Sequence, residues 1–318
     1  MATEITILLA TYKGAKYIRR QLESILLQTH TCWKLFARDD ASPDGTLDIL
    51  LEFAEKYPDK IFVYQDVPGN LGAVGNFGYL FSKNLGAEYI MFCDQDDYWL
   101  PLKMAKTLTA MQQEEAALGK NMPLLVHTNF TYVDDNLQPI KSMEGFHARR
   151  LKHLHLGNLL VQNPVYGCTV MINNNLAKKI ENIPAIAENH DYWVALAASA
   201  FGEIIYLAES TILYRQHTGN ISTHFNDNSF KYRFKKIFIN KGNLVQAHNN
   251  IVMAEQFKLV YGNNLDRHSK KILDDFIELF SIKSPSNFIQ NIKNGVRKQT
   301  LNQTALFYLS VLLLPKEH

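Results

Sequence analysis

Residues 89–101 read YIMFCDQDDYWLP, an apolar run that ends in three carboxylates within four residues, Asp94, Asp96 and Asp97. The apolar part is short, rich in β-formers and without a helical period, which predicts a buried strand. Carboxylates crowded at a partly dry strand end repel one another, and a cation relieves that repulsion. The alternating Asp94-x-Asp96 places two side chains on one side of an extended segment. The competing reading is a solvated turn in which Asp97 caps a helix starting at Tyr98.

The same logic extends outward along the chain. ITILLATY (5–12) is a second buried strand, followed by the polar turn YKGAKY. Ile18, Leu22, Ile25 and Leu26 then form a helical stripe. WKLFARDDASPDG (33–45) is a strand entering a turn. GTLDILLEFAEKYP is a helix stopped before Pro58, and IFVYQDV is a third strand. PGNLGAVGN reads as a glycine-rich loop and FGYLFSKNLG as the helix after it. Strand and helix alternate, which predicts a parallel sheet with helices on both faces and ligands beyond the carboxyl ends of its strands. The polar clusters Thr11–Lys13, Asp39–Asp40 and Asp94–Asp97 all fall on that edge. Past residue 120 the pattern loosens. MPLLVHTNFTYVD reads as a strand pair or bent strand, NPVYGCTVMIN as a strand with a central glycine, DYWVALAASAF as a helix and EIIYLAESTILYRQH as a strand pair. Amphipathic helices follow from about residue 226. The expected division is a catalytic domain over 1–225 and a helical, basic extension over 226–318.

A chain of 318 residues is long enough for a large core. Its net charge of +2 gives no support to nucleic-acid binding. Cys32, Cys93 and Cys168 are odd in number and lack metal-type spacing, so a reducing, cytosolic setting is expected. The N-terminus lacks a signal-peptide layout, and ALFYLSVLLL near the C-terminus is shorter than the ~20 residues a bilayer requires.

Asp39 and Asp40 form a second acidic pair at a strand end. Such a carboxylate can accept a hydrogen bond from a pyrimidine N3–H or from ribose hydroxyls, or it can shape an Asx turn with Ser42 to Gly45. Neither a G-x-x-x-x-G-K-[ST] loop nor a G-x-G-x-x-G turn is present at these strand ends, so P-loop and Rossmann dinucleotide readings find no support. Nucleotidyl transfer would call for a basic glycine-rich phosphate loop near the N-terminus, and TYKGAKY is a poor one.

Taken together, ILLATYKGAKYIRRQLESILLQT, RDDASPDGT, NLGAVGNF and FCDQDDYW resemble the family 2 glycosyltransferases with the GT-A fold, a mostly parallel α/β sheet. The resemblance resumes at NPVYGCTVMIN, NHDYWVALAASAFGEIIYL and LYRQH. CDQDDYW with GCT and HDYW is most similar to the bacterial rhamnosyltransferase branch, which implies transfer of L-rhamnose from dTDP-L-rhamnose in cell-surface polysaccharide synthesis. The resemblance implies that Thr11, Tyr12 and Lys13 line a nucleotide pocket and that Asp39 or Asp40 meets the pyrimidine. Asn70 and Asn76 would lie near the base or diphosphate, Asp94 would face the ribose, and Gln95 would lie among the nucleotide-sugar contacts. Asp96 would bind Mg²⁺ or Mn²⁺, with His217 reaching the metal or diphosphate. Asp191 would be the general base. The acidic residue usual before that position is His190 here, and His190 and Tyr192 are candidates for the acceptor side.

Those roles imply direct displacement with inversion at the anomeric carbon. Asp191 and His217 also have plainer readings, as a helix cap and as a structural residue. Trp193, Cys93 and Cys168 read as core. The alternative functions are a hexosyltransferase using a UDP-sugar and a non-catalytic nucleotide-sugar-binding protein, which would not need Asp191. The expected partners are a nucleotide-sugar donor and a saccharide acceptor that is free or lipid-linked. FKYRFKKIFINKGN (230–243) carries Lys231, Arg233, Lys235, Lys236 and Lys241, a pattern that suits the anionic inner face of a membrane, a subunit contact or a solvated helix.

Overall fold

A computed structural model describes residues 3–67, 69–141, 154–217 and 241–315. The chain forms two compact units, one of Met1–Ala148 with Val165–His217 and one of Arg149–Pro164 with Thr218–His318.

The first unit is built on one eight-stranded sheet. Its strands are β1 (Ile5–Thr11), β2 (Trp33–Asp39), β3 (Ile61–Tyr64), β4 (Tyr89–Cys93), β5 (Tyr98–Trp99), β6 (Leu124–Val133), β7 (Val170–Asn173) and β8 (Glu203–Arg215). They lie in the order β3-β2-β1-β4-β7-β6-β8-β5. β1 to β4 are parallel, β7 runs against both β4 and β6, and β8 is parallel to β6. Helices α1 (Ile18–Leu26), α2 (Thr46–Lys56), α3 (Gly72–Lys83), α4 (Lys103–Leu118), α6 (Asn174–Ile180) and α7 (His190–Phe201) belong to this unit. β1 and β4 are continuous apolar runs because both faces are covered; Ile5, Ile7, Leu8, Leu9, Ile90, Met91 and Phe92 have no exposed surface. Each such aliphatic side chain contributes about 1.5–3 kcal/mol on burial.

The Asp94–Asp97 segment sets the curvature of this sheet. β4 and β5 are separated by Asp94–Asp97 alone, yet β5 pairs with β8 at the far edge. Four strand spacings of ~4.8 Å would span about 19 Å in a flat sheet. The five Cα steps from Cys93 to Tyr98 reach at most about 17–18 Å. The sheet is therefore curled, and the acidic segment links its central strand β4 to its edge strand β5. α1 fixes the bridge from behind: Ser24 Oγ accepts the Trp99 N–H at 3.1 Å, and the Gln28 side chain donates to the Leu100 carbonyl at 2.9 Å.

Several expectations are corrected. α3 begins at Gly72, so Asn76 stands on a helix and not in the glycine-rich loop. α4 begins at Lys103, so Asp97 caps no helix. β8 is one strand of 13 residues, and β6 is likewise a single strand, with register shifts around Asn129. Gly167–Thr169 is a turn of 3₁₀ helix that precedes β7.

In the second unit the described elements are the short α5 (Leu156–Leu159), α8 (Lys241–Tyr261), α9 (Arg267–Ser281), α10 (Pro285–Lys293) and α11 (Leu301–Leu313). Phe257, Leu273, Phe276, Leu279, Val296 and Phe307 are buried. The Tyr308 hydroxyl donates to the Val296 carbonyl at 2.8 Å, which ties α11 to the turn after α10. Asn158 donates to the carbonyls of Gly295 and Arg297 and anchors the same turn. The basic cluster Lys231, Arg233, Lys235 and Lys236 lies outside the described residues, as does the Lys241 side chain.

Candidate functional site

The site is assembled from strand ends. Thr11 ends β1 beside Asp39 at the end of β2, and its hydroxyl donates to Asp39 Oδ1 at 2.9 Å. Asp39 also accepts from the Ser42 N–H at 2.7 Å and the Ser42 hydroxyl at 2.6 Å, the Asx turn expected of DDASPDG. That turn then organises the loop after β1. Ser42, Thr46 and Asp44 accept the N–H groups of Lys13, Gly14 and Ala15. Lys13 is held at φ 53° and Ala41 at φ 63°, left-handed positions uncommon for residues with a Cβ. Tyr12 projects from this loop, and its backbone is clamped by Gln95, whose amide accepts from the Tyr12 N–H at 2.9 Å and donates to its carbonyl at 2.8 Å.

Asp40 does something different. It is 2 % exposed and accepts from Arg38 at 2.6 Å, from the Leu71 N–H at 2.7 Å and from the Gly72 N–H at 2.8 Å. This carboxylate starts α3, which is why the helix begins inside the glycine-rich segment. Asn76 is also buried. It accepts from Arg38 at 3.1 Å and donates to the Arg38 carbonyl at 3.1 Å. Asn70 donates to the Asp40 carbonyl and accepts from the Gly72 N–H. Asp40, Asn70 and Asn76 therefore brace the loop.

The bridge between β4 and β5 divides its carboxylates by depth. Asp94 is half-buried. Burial, then Asp96, then Asp191 push its carboxyl up to about 7. Asp96 accepts or shares a hydrogen bond with His217 Nε2 at 2.8 Å, and both side chains keep an edge to solvent. Asp97 is fully buried and accepts from the Arg215 N–H at 3.2 Å; burial and its two acidic neighbours raise its pKa well above the carboxylate range. Behind it Lys103 is also fully buried, over the Trp99 ring at 4.6 Å, and burial lowers its pKa to about 8.

From the other side, α7 brings Asp191 in its first turn, with Asn189 as the cap residue. Asp191 Oδ2 accepts from the Gly167 N–H at 2.9 Å. Burial pushes its carboxyl up to about 6, against the pull of the Gly167 and Tyr192 N–H groups. The start of α7 by itself favours the ionised form, but desolvation is the larger effect. His190, a candidate for the acceptor side, is buried and stacked on Phe77 at 3.8 Å, and burial lowers its pKa to about 3, which keeps the ring neutral. A Cβ on Gly167 would meet His190 Nε2 at 2.4 Å, so only glycine lets the 3₁₀ turn approach α7 this closely. Tyr192 and Trp193 are buried, as are Cys93 and Cys168.

Carboxylate and imidazole donors meet at Asp96 and His217, in a region where acidic groups are crowded. Such a donor set fits Mg²⁺ or Mn²⁺. Among the described residues, Asp94, Asp97 and Cys168 also bring possible ligand atoms within 4.8 Å of one another, but Asp97 and Cys168 are buried behind the edge.

The family model described as glycosyl transferase family 2 matches residues 6–170, slightly more than half of the chain. The chain belongs to glycosyltransferase family 2. Relatives of this family 2 chain include the dTDP-rhamnosyl transferase RfbG of Shigella flexneri, 28 % identical over 72 % of this chain and 78 % of that protein. The putative teichuronic acid biosynthesis glycosyltransferase TuaG of Bacillus subtilis is 28 % identical over 62 % of this chain and 73 % of its own length. An uncharacterized glycosyltransferase of Rickettsia typhi is 25 % identical over 59 % of this chain, and the match spans only 56 % of that relative. The fold is GT-A. S. aureus TarS in complex with UDP-GlcNAc superposes with a TM-score of 0.57 at 17 % identity, over 97 % of this chain and 79 % of that one. The mannosyltransferase PcManGT of Pyrobaculum calidifontis, in complex with GDP-Man and Mn²⁺, gives a TM-score of 0.53 at 12 % identity over 97 % and 86 %.

Three residues of this family 2 chain escaped the sequence reading. Arg215 Nε donates to the Asp96 carbonyl at 2.7 Å, and its guanidinium lies over the Tyr17 ring at 4.8 Å. Tyr17 stacks on His217 at 4.7 Å, and its hydroxyl donates to Asp135 at 2.7 Å. Tyr17, Asp135 and Arg215 thus orient the Asp96–His217 pair. Tyr17 lies in the quoted YKGAKY turn and Arg215 directly precedes the QH of LYRQH, but nothing local in the sequence links them.

Proposed function

We propose that this chain is an inverting glycosyltransferase that moves L-rhamnose from dTDP-L-rhamnose to a hydroxyl of a saccharide acceptor in cell-surface polysaccharide synthesis. The observation that carries the reading is Asp191: a buried carboxylate raised to about 6, pinned by the Gly167 N–H, and close enough to Asp94 to raise its pKa. A base poised near neutrality takes a proton efficiently and still stands ionised at pH 7. The rhamnosyl donor is supported by the relative RfbG, named a dTDP-rhamnosyl transferase.

In this reading Thr11, Tyr12, Lys13 and Asp39 line the nucleotide pocket, with Gln95 holding the Tyr12 backbone against it. Asp94 faces the ribose. Asp96 and His217 would hold a divalent cation, which would supply Lewis-acid neutralisation of the diphosphate charge. Asp191 accepts the acceptor hydroxyl proton as that oxygen attacks the anomeric carbon. The new carbon–oxygen bond forms opposite the breaking bond to phosphate, the electron pair leaves on the diphosphate, and the configuration inverts. His190 and Tyr192, both buried, support the base from within α7.

A donor panel of dTDP-, UDP- and GDP-sugars, read as nucleotide release with an oligosaccharide acceptor, tests the proposal. Turnover is expected with dTDP-L-rhamnose and Mg²⁺ or Mn²⁺. Turnover confined to a UDP-sugar would replace the donor. Binding of nucleotide sugars without turnover of any of them would favour a non-catalytic binding protein.

A further inference from the structure

The second unit carries an apolar face that its own core does not cover. α11 buries Phe307, Tyr308 and Val311 on one side. On the other side Leu301, Ala305, Leu309, Leu312 and Leu313 are exposed, spaced by three or four residues along one stripe. Leu301 is 88 % exposed, Leu309 48 % and Leu313 64 %. Ile289 and Ile292 on α10 and Ile282 before it are each about half exposed as well.

Within α10, α11 and the segments that flank them the charged side chains are all basic: from Leu279 to Pro315 the sequence contains Lys283, Lys293, Arg297 and Lys298 and no Asp or Glu. These cations bracket the stripe. The Lys298 N–H donates to Thr304 Oγ1 at 3.0 Å, which sets Arg297 and Lys298 at the first turn of α11. Lys283 donates to the Leu314 carbonyl, at the helix end.

We propose that α11 lies flat on an anionic phospholipid bilayer, with its leucine stripe in the acyl–headgroup boundary and the flanking lysines and arginine among the headgroups. Amphipathic helices with a basic rim bind in this way, through apolar burial plus attraction to anionic lipid. At 1.5 Å per residue a 13-residue helix is about 20 Å long, too short to cross. Among the described residues no helix is long and apolar enough to span a membrane. A second copy of the chain is the less suitable occupant. A two-fold contact apposes the same patch from both copies, so it would set basic rim against basic rim.

The test is co-flotation of the full chain with vesicles of phosphatidylcholine alone or mixed with phosphatidylglycerol. We expect partition onto the mixed vesicles, little onto phosphatidylcholine, and weakening as salt is raised. Leu309→Ser/Leu313→Ser should reduce partition about tenfold or more, because two exposed leucines lose their burial in lipid. Arg297→Glu/Lys298→Glu should reduce it comparably and abolish the preference for anionic lipid. Leu309, Leu313 and Arg297 are exposed and Lys298 is half-buried, and none of the four is among the residues of the proposed sugar-transfer site, so nucleotide release in solution reports an intact fold. Partition unaffected by both double variants would overturn the proposal. So would a wild-type chain that ignores both vesicles and sediments as a dimer that Leu309→Ser/Leu313→Ser dissociates.

Discussion

The backbone N–H of Gly167 donates to Asp191 Oδ2 at 2.9 Å, and the same glycine leaves no room for a methyl group beside His190. One residue therefore both aims the carboxylate and sets how deeply it sits. Gly167→Ala forces α7 or the 3₁₀ turn to shift. It should destabilise the protein by about 1–3 kcal/mol, as overpacking does. Nucleotide release should fall far more than the change in Tm explains, and thermal melts beside steady-state kinetics would separate the two.

Asp191→Asn keeps the shape and removes the base. The expected loss in kcat is about 10²–10⁴-fold with donor binding retained. A kcat within threefold of wild type would exclude the base role.

The pH profile carries a sign. Burial raises Asp191 to about 6, and the base works only when ionised. Below about pH 6, kcat/KM should fall roughly tenfold per unit, and above it the profile should level. In Asp191→Asn this acid limb should vanish.

Asp96→Ala and His217→Ala should each raise the Mn²⁺ concentration needed for half-maximal nucleotide release, and EDTA should silence the wild type. Tyr17→Phe keeps the ring on His217 and loses the hydroxyl's bonds to Asp135 and Lys16, so its shift should be smaller. Metal titrations of the three variants rank the effects.

Asp39 and Asp40, adjacent in sequence, should separate cleanly. Removing Asp40 leaves Arg38 buried without its carboxylate and should cost about 3–5 kcal/mol in urea unfolding. Asp39→Ala should cost less stability and weaken nucleotide binding, measured by calorimetry.

Much of this was legible because parallel strands covered on both faces read as unbroken apolar runs, as ITILLA and YIMFC do. Their carboxyl ends then locate Thr11, Asp39 and Asp94. What the pattern hid was set at a distance. The start of α3 is fixed by Asp40, some 30 residues upstream. β8 read as two strands because Glu209, Ser210 and Thr211 interrupt its apolar run, yet the strand continues through them, with Ser210 paired to Asn129 between two register shifts. The union of Tyr17, Asp135 and Arg215 joins points some 80 to 200 residues apart, and no local period records such a meeting. The burial of His190 depends on Phe77 and Gly167, which no neighbouring residue announces.

The four residues between β4 and β5 also have a consequence for how the protein comes into being. β1 to β4 pair with one another within residues 5–93, although β4 lends its other edge to β7, and the acidic bridge cannot take its shape until β8, ending at Arg215, has been made and has paired with Tyr98 and Trp99. A growing chain thus carries four strands long before Asp96 can meet His217. On the proposed reading, nascent or partly opened molecules would be silent toward activated sugars.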